Sequence, residues 1–171
     1  MPQESNTAAS SLASAVAACR ADDDALHSLK LVYARADAAC AERHMTCRAC
    51  GKCCRFAEVG HRLLVSPLEL ALLMQVPPDP PAVKAGVCCY QKDGLCTARQ
   101  RRPLGCRVFF CGAPADDCSR LYESCHRQIC RLHDRRGLPY LYVELTAALM
   151  ELTTAGTAGQ NADFPIDTPK R

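Results

Sequence analysis

A small, mainly α-helical, cysteine-rich domain with its helices set around cysteine-bearing loops is predicted for this chain on three observations. Apolar residues recur at three- and four-residue steps in several stretches. Helix starts and stops are marked by Asp22-Asp23-Asp24, Ser66-Pro67-Leu68-Glu69 and Gly137-Leu138-Pro139. Between the helical stretches lie two segments dense in cysteine and poor in periodicity. The 171 residues suffice for one domain with tails and a core of its own.

In chain order, residues 1–21 are rich in Ser, Ala, Asn and Thr and read as a flexible N-terminal segment. Val16-Ala17-Ala18-Cys19 has the outline of a lipoprotein cleavage box. The preceding residues carry no Lys or Arg and only a weak apolar run, so neither secretion nor lipidation is expected. Asp22-Asp23-Asp24 supplies a cap and first-turn charge for a helix over about 22–43. Leu26, Leu29, Tyr33, Ala36 and Cys40 form its apolar stripe, which makes Cys40 a core thiol.

Residues 56–65 read as irregular or briefly extended. Ser66 to Glu69 is a capping box with Pro at the first helical position, opening a short helix over 66–75. Pro77-Pro78-Asp79-Pro80-Pro81 ends it in a stiff linker. Asp93-Gly94 marks a turn ahead of Cys96. Helical pattern returns over 118–136, with Asp116-Asp117 as its cap, and Gly137-Leu138-Pro139 breaks it. A last helix is expected over 139–152, with Tyr140, Val143, Ala147 and Met150 on one side. Residues 22–152 thus form the domain and 153–171 a disordered polar tail.

The densest chemistry is Cys47-Arg-Ala-Cys50-Gly-Lys-Cys53-Cys54, a C-x-x-C-x-x-C-C run. Two residues between sulfurs let a tight turn aim both thiolates at one metal, and Gly51 permits backbone angles that a Cβ resists. Core cysteines or disulfides explain the run poorly, because adjacent cysteines rarely bond each other. A second group, Cys88, Cys89, Cys96, Cys106 and Cys111, lies where regular structure is scarce and metal ligation would supply order. The first group cannot close on one metal by itself, since only one member of a doublet such as Cys53-Cys54 faces a given ion. The two groups are therefore read as halves of one set of metal-organised loops. Arg99, Arg101, Arg102 and Arg107 flank the second group and would offset thiolate charge; the alternatives are a solvated basic loop or, less well supported by aromatics, a nucleic-acid patch.

This pattern resembles the CxxCxxCC family, cysteine-cluster proteins described as zinc- or iron-chelating domains. The likeness rests on Cys47 to Cys54, on Val65-Ser66-Pro67 with Glu69, on Gly86-Val87-Cys88 and on Gly94-Leu95-Cys96. It continues through Arg102-Pro103-Leu104-Gly105-Cys106-Arg107-Val108-Phe109-Phe110-Cys111. The resemblance implies metal chelation by Cys47, Cys50, Cys53, Cys54, Cys88, Cys96 and Cys106, with Cys111 as an eighth ligand. It supplies no reaction, although some proteins with similar cysteine patterns hold an iron–sulfur cluster. Cys89 stands where the family often has Pro, and Cys118, Cys125 and Cys130 fall outside the shared motif.

Other candidates carry weaker signals. His126, Cys130 and His133 are spaced to share a helix face, either as a separate N/S site or as helix packing beside buried Cys118 and Cys125. His61 is a lone loop histidine. No Ser/His/Asp, P-loop or GxGxxG constellation is present, so nothing marks an enzyme. With 14 cysteines in 171 residues and no export signal, a reducing cytoplasmic setting is expected. The formal charge of +3 implies no nucleic-acid partner, and no apolar run is long enough for a membrane span. The expected function is metal binding, as an iron–sulfur cluster or zinc, in electron transfer or redox sensing with a protein redox partner. A zinc-stabilised protein-interaction module with no redox role is the alternative. Copper(I) and thiol–disulfide exchange rank below both.

Overall fold

The computed structural model describes residues 11–45, 47–48, 50–78, 86–109 and 113–158. Over these residues the protein is mainly helical, at 61% helix and 7% strand. The helices are α1 (Leu12–Arg20), α2 (Asp23–Glu42), α3 (Phe56–Val59), α4 (Pro67–Leu73), α5 (Leu104–Val108), α6 (Ala115–Arg136) and α7 (Leu145–Ala158). Four two-residue strands accompany them: β1 (Leu64–Val65), β2 (Gln91–Lys92), β3 (Leu95–Cys96) and β4 (Val143–Glu144).

The long helices follow their local signals. Asp22 caps α2 by accepting from the Ala25 N–H at 2.9 Å. The predicted stripe is buried, with Leu29 and Ala36 at zero exposure and Tyr33 and Cys40 close behind. α6 ends at Gly137 in the left-handed region, φ +61°, the conformation glycine adopts without penalty. Its last turn is tied to the start of α2 by a two-pronged pair, Arg136 Nε and Nη2 to the two carboxylate oxygens of Asp22, both at 2.8 Å. That pair holds the Asp22 carboxyl below its usual range. α2 packs on α6, α4 and α5, and this helical layer carries the core.

The N-terminal segment differs from expectation. Residues 12–20 form α1, capped by Ser11, with Leu12, Ala15, Val16 and Cys19 buried on α4. Its apolar residues are mostly alanine, and such small residues suffice where two helices pack together. The last helix is also shifted, to 145–158. Gly137 and Pro139 keep the chain out of a helix through residue 142, and residues 143–144 pair antiparallel with β1, Val65 opposite Val143. The Glu144 carboxylate then caps α7, accepting from the Ala147 N–H at 2.8 Å and the Thr146 hydroxyl at 2.7 Å. Residues 153–158, expected in the tail, are therefore helical, while residues 159–171 and the linker from residue 79 lie outside the described residues. No described helix is long and apolar enough to cross a membrane.

Two buried charges brace the fold. Glu69, on α4, is 1% exposed and accepts four hydrogen bonds. Its Oε2 takes the Ser66 N–H at 2.9 Å and the Ser66 hydroxyl at 3.1 Å. Its Oε1 takes the Leu104 N–H at 2.9 Å and the Tyr33 hydroxyl at 3.3 Å. The capping box read from sequence thus also caps α5 and anchors α2. Arg107, 5% exposed, pairs with Asp37 and donates to the carbonyls of Arg102 at 3.0 Å and Gln100 at 2.6 Å. Its guanidinium lies 4.2 Å from the centre of the Tyr33 ring, so each nitrogen of this buried cation has a hydrogen-bond acceptor and one face an aromatic ring.

Candidate metal centre

The two cysteine segments meet. Gly51 stands in the left-handed region at φ +68°, and a Cβ there would lie 2.7 Å from the Gly94 carbonyl oxygen. Glycine is thus required twice over, by conformation and by the passage of the β2–β3 turn against it. That turn, Asp93-Gly94, has both residues at positive φ, +52° and +77°, as a two-residue hairpin demands, and delivers Cys96 on β3. The Cys54 carbonyl accepts from the Cys88 N–H at 2.8 Å, and the Gly86 carbonyl from the Ala57 N–H at 3.0 Å. Cys106 enters from α5, whose position Glu69 and Arg107 fix.

The result is one cavity of about 60 Å³ walled by Cys47, Cys50, Cys53, Cys54, Cys88, Cys96 and Cys106. Seven of the eight cysteines predicted as ligands converge there; Cys111 lies outside the described residues. Phe56, Leu73, Tyr90, Ala98 and Leu145 supply apolar surface around the sulfurs. Cys89 is not part of the wall. Its thiol sits half-buried elsewhere, where burial pushes it up to about 11.

Inside the cavity the thiols contact one another. Cys53 and Cys54 perturb each other, and Cys88 perturbs Cys54 in turn. Donation to Cys54, followed by burial, holds the Cys53 thiol well above its usual range. For Cys54 the bond from Cys53 pulls downward. The bond to Cys88, burial and the nearby Cys88 and Cys96 outweigh it and push the thiol up to about 12. Burial and then the neighbouring thiols raise Cys106, against an opposing pull from Arg102. Several thiolates cannot coexist here unless a cation offsets their repulsion. Among the described residues no three His, Cys, Asp or Glu side chains are placed so that together they could hold a metal ion. The donor type, thiol sulfur, is one that soft ions prefer, and residues from both cysteine segments line the same cavity.

The flanking arginines divide. Arg99 and Arg102 line the cavity with Arg48, and the Arg102 Nε is buried with no hydrogen-bond partner among the described residues. Arg101 reaches the Leu73 carbonyl at 3.4 Å, and Arg107 is committed to the brace described above. Cys40, Cys118 and Cys125 are core thiols. His126 Nε2 lies 3.6 Å from the Cys130 sulfur and 3.1 Å from the Tyr140 hydroxyl. His133 is fully buried edge-on to Tyr140, and burial lowers its pKa. His61 packs edge-on against Phe56, ring centres 5.0 Å apart, outside the thiol wall. Sequence reading missed Tyr90, Phe56 and the buried role of Arg107. The Arg-Pro-Leu-Gly-Cys-Arg run was the available signal for the last. In comparisons with protein-family models, curated proteins and solved structures, nothing matches this chain.

Proposed function

We propose that the protein is a metal-binding protein in which the thiolates of Cys47, Cys50, Cys53, Cys54, Cys88, Cys96 and Cys106, with Cys111, hold iron as an iron–sulfur cluster or zinc. The observation that carries this reading is the convergence of seven thiols from separate chain segments on one small cavity. Ordinary core packing gives no reason for seven sulfurs to share one wall. The guanidiniums of Arg99 and Arg102 beside them would offset the charge of an anionic cluster. When bound, iron–sulfur would supply one-electron transfer and zinc a structural crosslink. The protein's own contribution is to set apolar side chains beside the cysteines, of which Cys50 stays exposed, and to position Cys106 on α5.

Anaerobic purification followed by metal analysis and a visible spectrum tests the proposal. Bound iron with sulfide and absorption that bleaches on reduction selects the redox reading. A colourless protein with stoichiometric zinc selects the zinc-stabilised module. A folded protein that binds neither would overturn both. Cys96→Ser should lose metal, whereas Cys89→Ser should retain it, because Cys89 stands off the cavity wall.

A further inference from the structure

A second cavity, of about 550 Å³, opens behind the thiol wall, and Cys53, Cys106 and Phe56 line both spaces. Its volume lies within the range of small-molecule sites, roughly 300–1,000 Å³. One side is a preformed aromatic surface. Tyr122 and Tyr142 bond hydroxyl to hydroxyl, Phe109 leans on Tyr122 with ring centres 5.3 Å apart, and His126 stacks behind Tyr122 at 9° between planes. Val59, 55% exposed, and Leu64 also line the cavity. Exposed aromatic and aliphatic groups around one concavity are costly in water without a use.

The polar character is one-sided. Arg62 lines the cavity, no Asp or Glu does so among the described residues, and Arg62 makes no ion pair there. Glu144 lines the adjoining groove with Arg62 but is engaged as the cap of α7. A flat ring system matches the Phe109–Tyr122–Tyr142 surface by stacking, and a carboxylate matches the planar, unpaired guanidinium.

We infer that this cavity binds a small aromatic carboxylate, its ring against Phe109, Tyr122 and Tyr142 and its carboxylate on Arg62. The inference concerns a site beside the thiols and does not rest on what they hold.

Calorimetric titration of the full chain with 2-naphthoate, and with 2-naphthylmethanol as its neutral twin, tests it. The expected result is one saturable site for 2-naphthoate, with the alcohol weaker by about tenfold, the worth of a charge-assisted hydrogen bond. Arg62→Ala should bring 2-naphthoate down to the affinity of the alcohol. Val59→Trp, a filling change at an exposed position, should abolish binding of both. Leu31→Trp, at an exposed position on α2, should leave it unchanged. Absence of saturable binding by 2-naphthoate, or binding indifferent to Arg62→Ala or to Val59→Trp, would overturn the inference.

Discussion

Replacing Gly51 by Ala probes the joint on which the thiol cavity depends. At φ +68° a non-glycine residue pays conformational strain of about 1–2 kcal/mol. The added Cβ would also stand 2.7 Å from the Gly94 oxygen and 3.0 Å from its carbonyl carbon. Both are backbone atoms of a tight turn, so neither yields by a rotamer change. The hairpin must shift as a unit, and a displacement of this kind costs about a further 1–3 kcal/mol, by analogy with overpacked cores. The total, about 2–5 kcal/mol, is a large share of the ~5–15 kcal/mol that stabilises a domain. At about 2–4 °C per kcal/mol for a chain of this size, melting should fall by about 4–20 °C. Gly94→Ala is the matched control. It shares the positive φ, +77°, but its Cβ would meet nothing nearer than the Cys50 oxygen at 3.9 Å, so it should cost only the strain. Calorimetric melts of both variants separate the two contributions. Equal losses would show that the close approach of the two cysteine segments is not what holds Gly51.

Three further outcomes are expected. Cys19→Ser should destabilise the protein by about 1–3 kcal/mol through an unpartnered buried hydroxyl, while metal content stays constant; urea melts paired with metal analysis check this. Glu69→Ala should cost about 3 kcal/mol or more, since it strips the acceptor from four donors in the core, and should weaken metal retention by freeing α5; the same two measurements apply. His133 is held neutral because burial lowers its pKa, so the unfolded chain binds its proton more readily. Its contribution is complete above the unfolded value near 6.5 and is lost as pH falls below it, with a slope of at most about 1.4 kcal/mol per pH unit. Melts between pH 7.5 and 5 should show that slope reduced in His133→Gln.

Sequence sufficed where a single residue type carried the physical constraint. The Asp22 cap, the Ser66–Glu69 box, the Gly137 stop and the Asp93-Gly94 turn each fix local backbone, and each is found where its residues predicted. The grouping of Cys47 to Cys54 with Cys88, Cys96 and Cys106 was legible because loop segments with many soft sulfurs have few other uses. What escaped was tertiary. α1 is built largely of alanine, which gives no strong helical stripe, and its burial against α4 explains it. The start of α7 was displaced by a strand pairing with β1 that no local signal at residues 143–144 betrays. Arg107 read as a flanking charge because nothing in a sequence shows that Tyr33 and Asp37, seventy residues earlier, will enclose it.

The two walls of the thiol cavity differ in what holds them. Cys106 rides on α5, whose N-terminus is capped by a buried carboxylate and whose Arg107 is clamped at three points, so its position is set by the protein core. Cys50 to Cys54 have no comparable buried carboxylate or arginine clamp among the described residues. Between Lys52 and Cys54 there is one short 3-10 turn, and among the described residues the run is joined to the second segment by the Cys54 carbonyl–Cys88 N–H hydrogen bond and the Gly51–Gly94 contact. In the proposed function, ligation then acts mainly on the first segment, drawing its sulfurs toward a wall already in place. The order follows from energetics: a buried Glu69–Leu104 bond and the Arg107 brace need no metal, whereas a turn carrying four thiols has little apolar area to bury without one. Serine replacements of the cysteines in the Cys47–Cys54 run should therefore separate metal retention from fold stability, and substitutions around Cys106 should not.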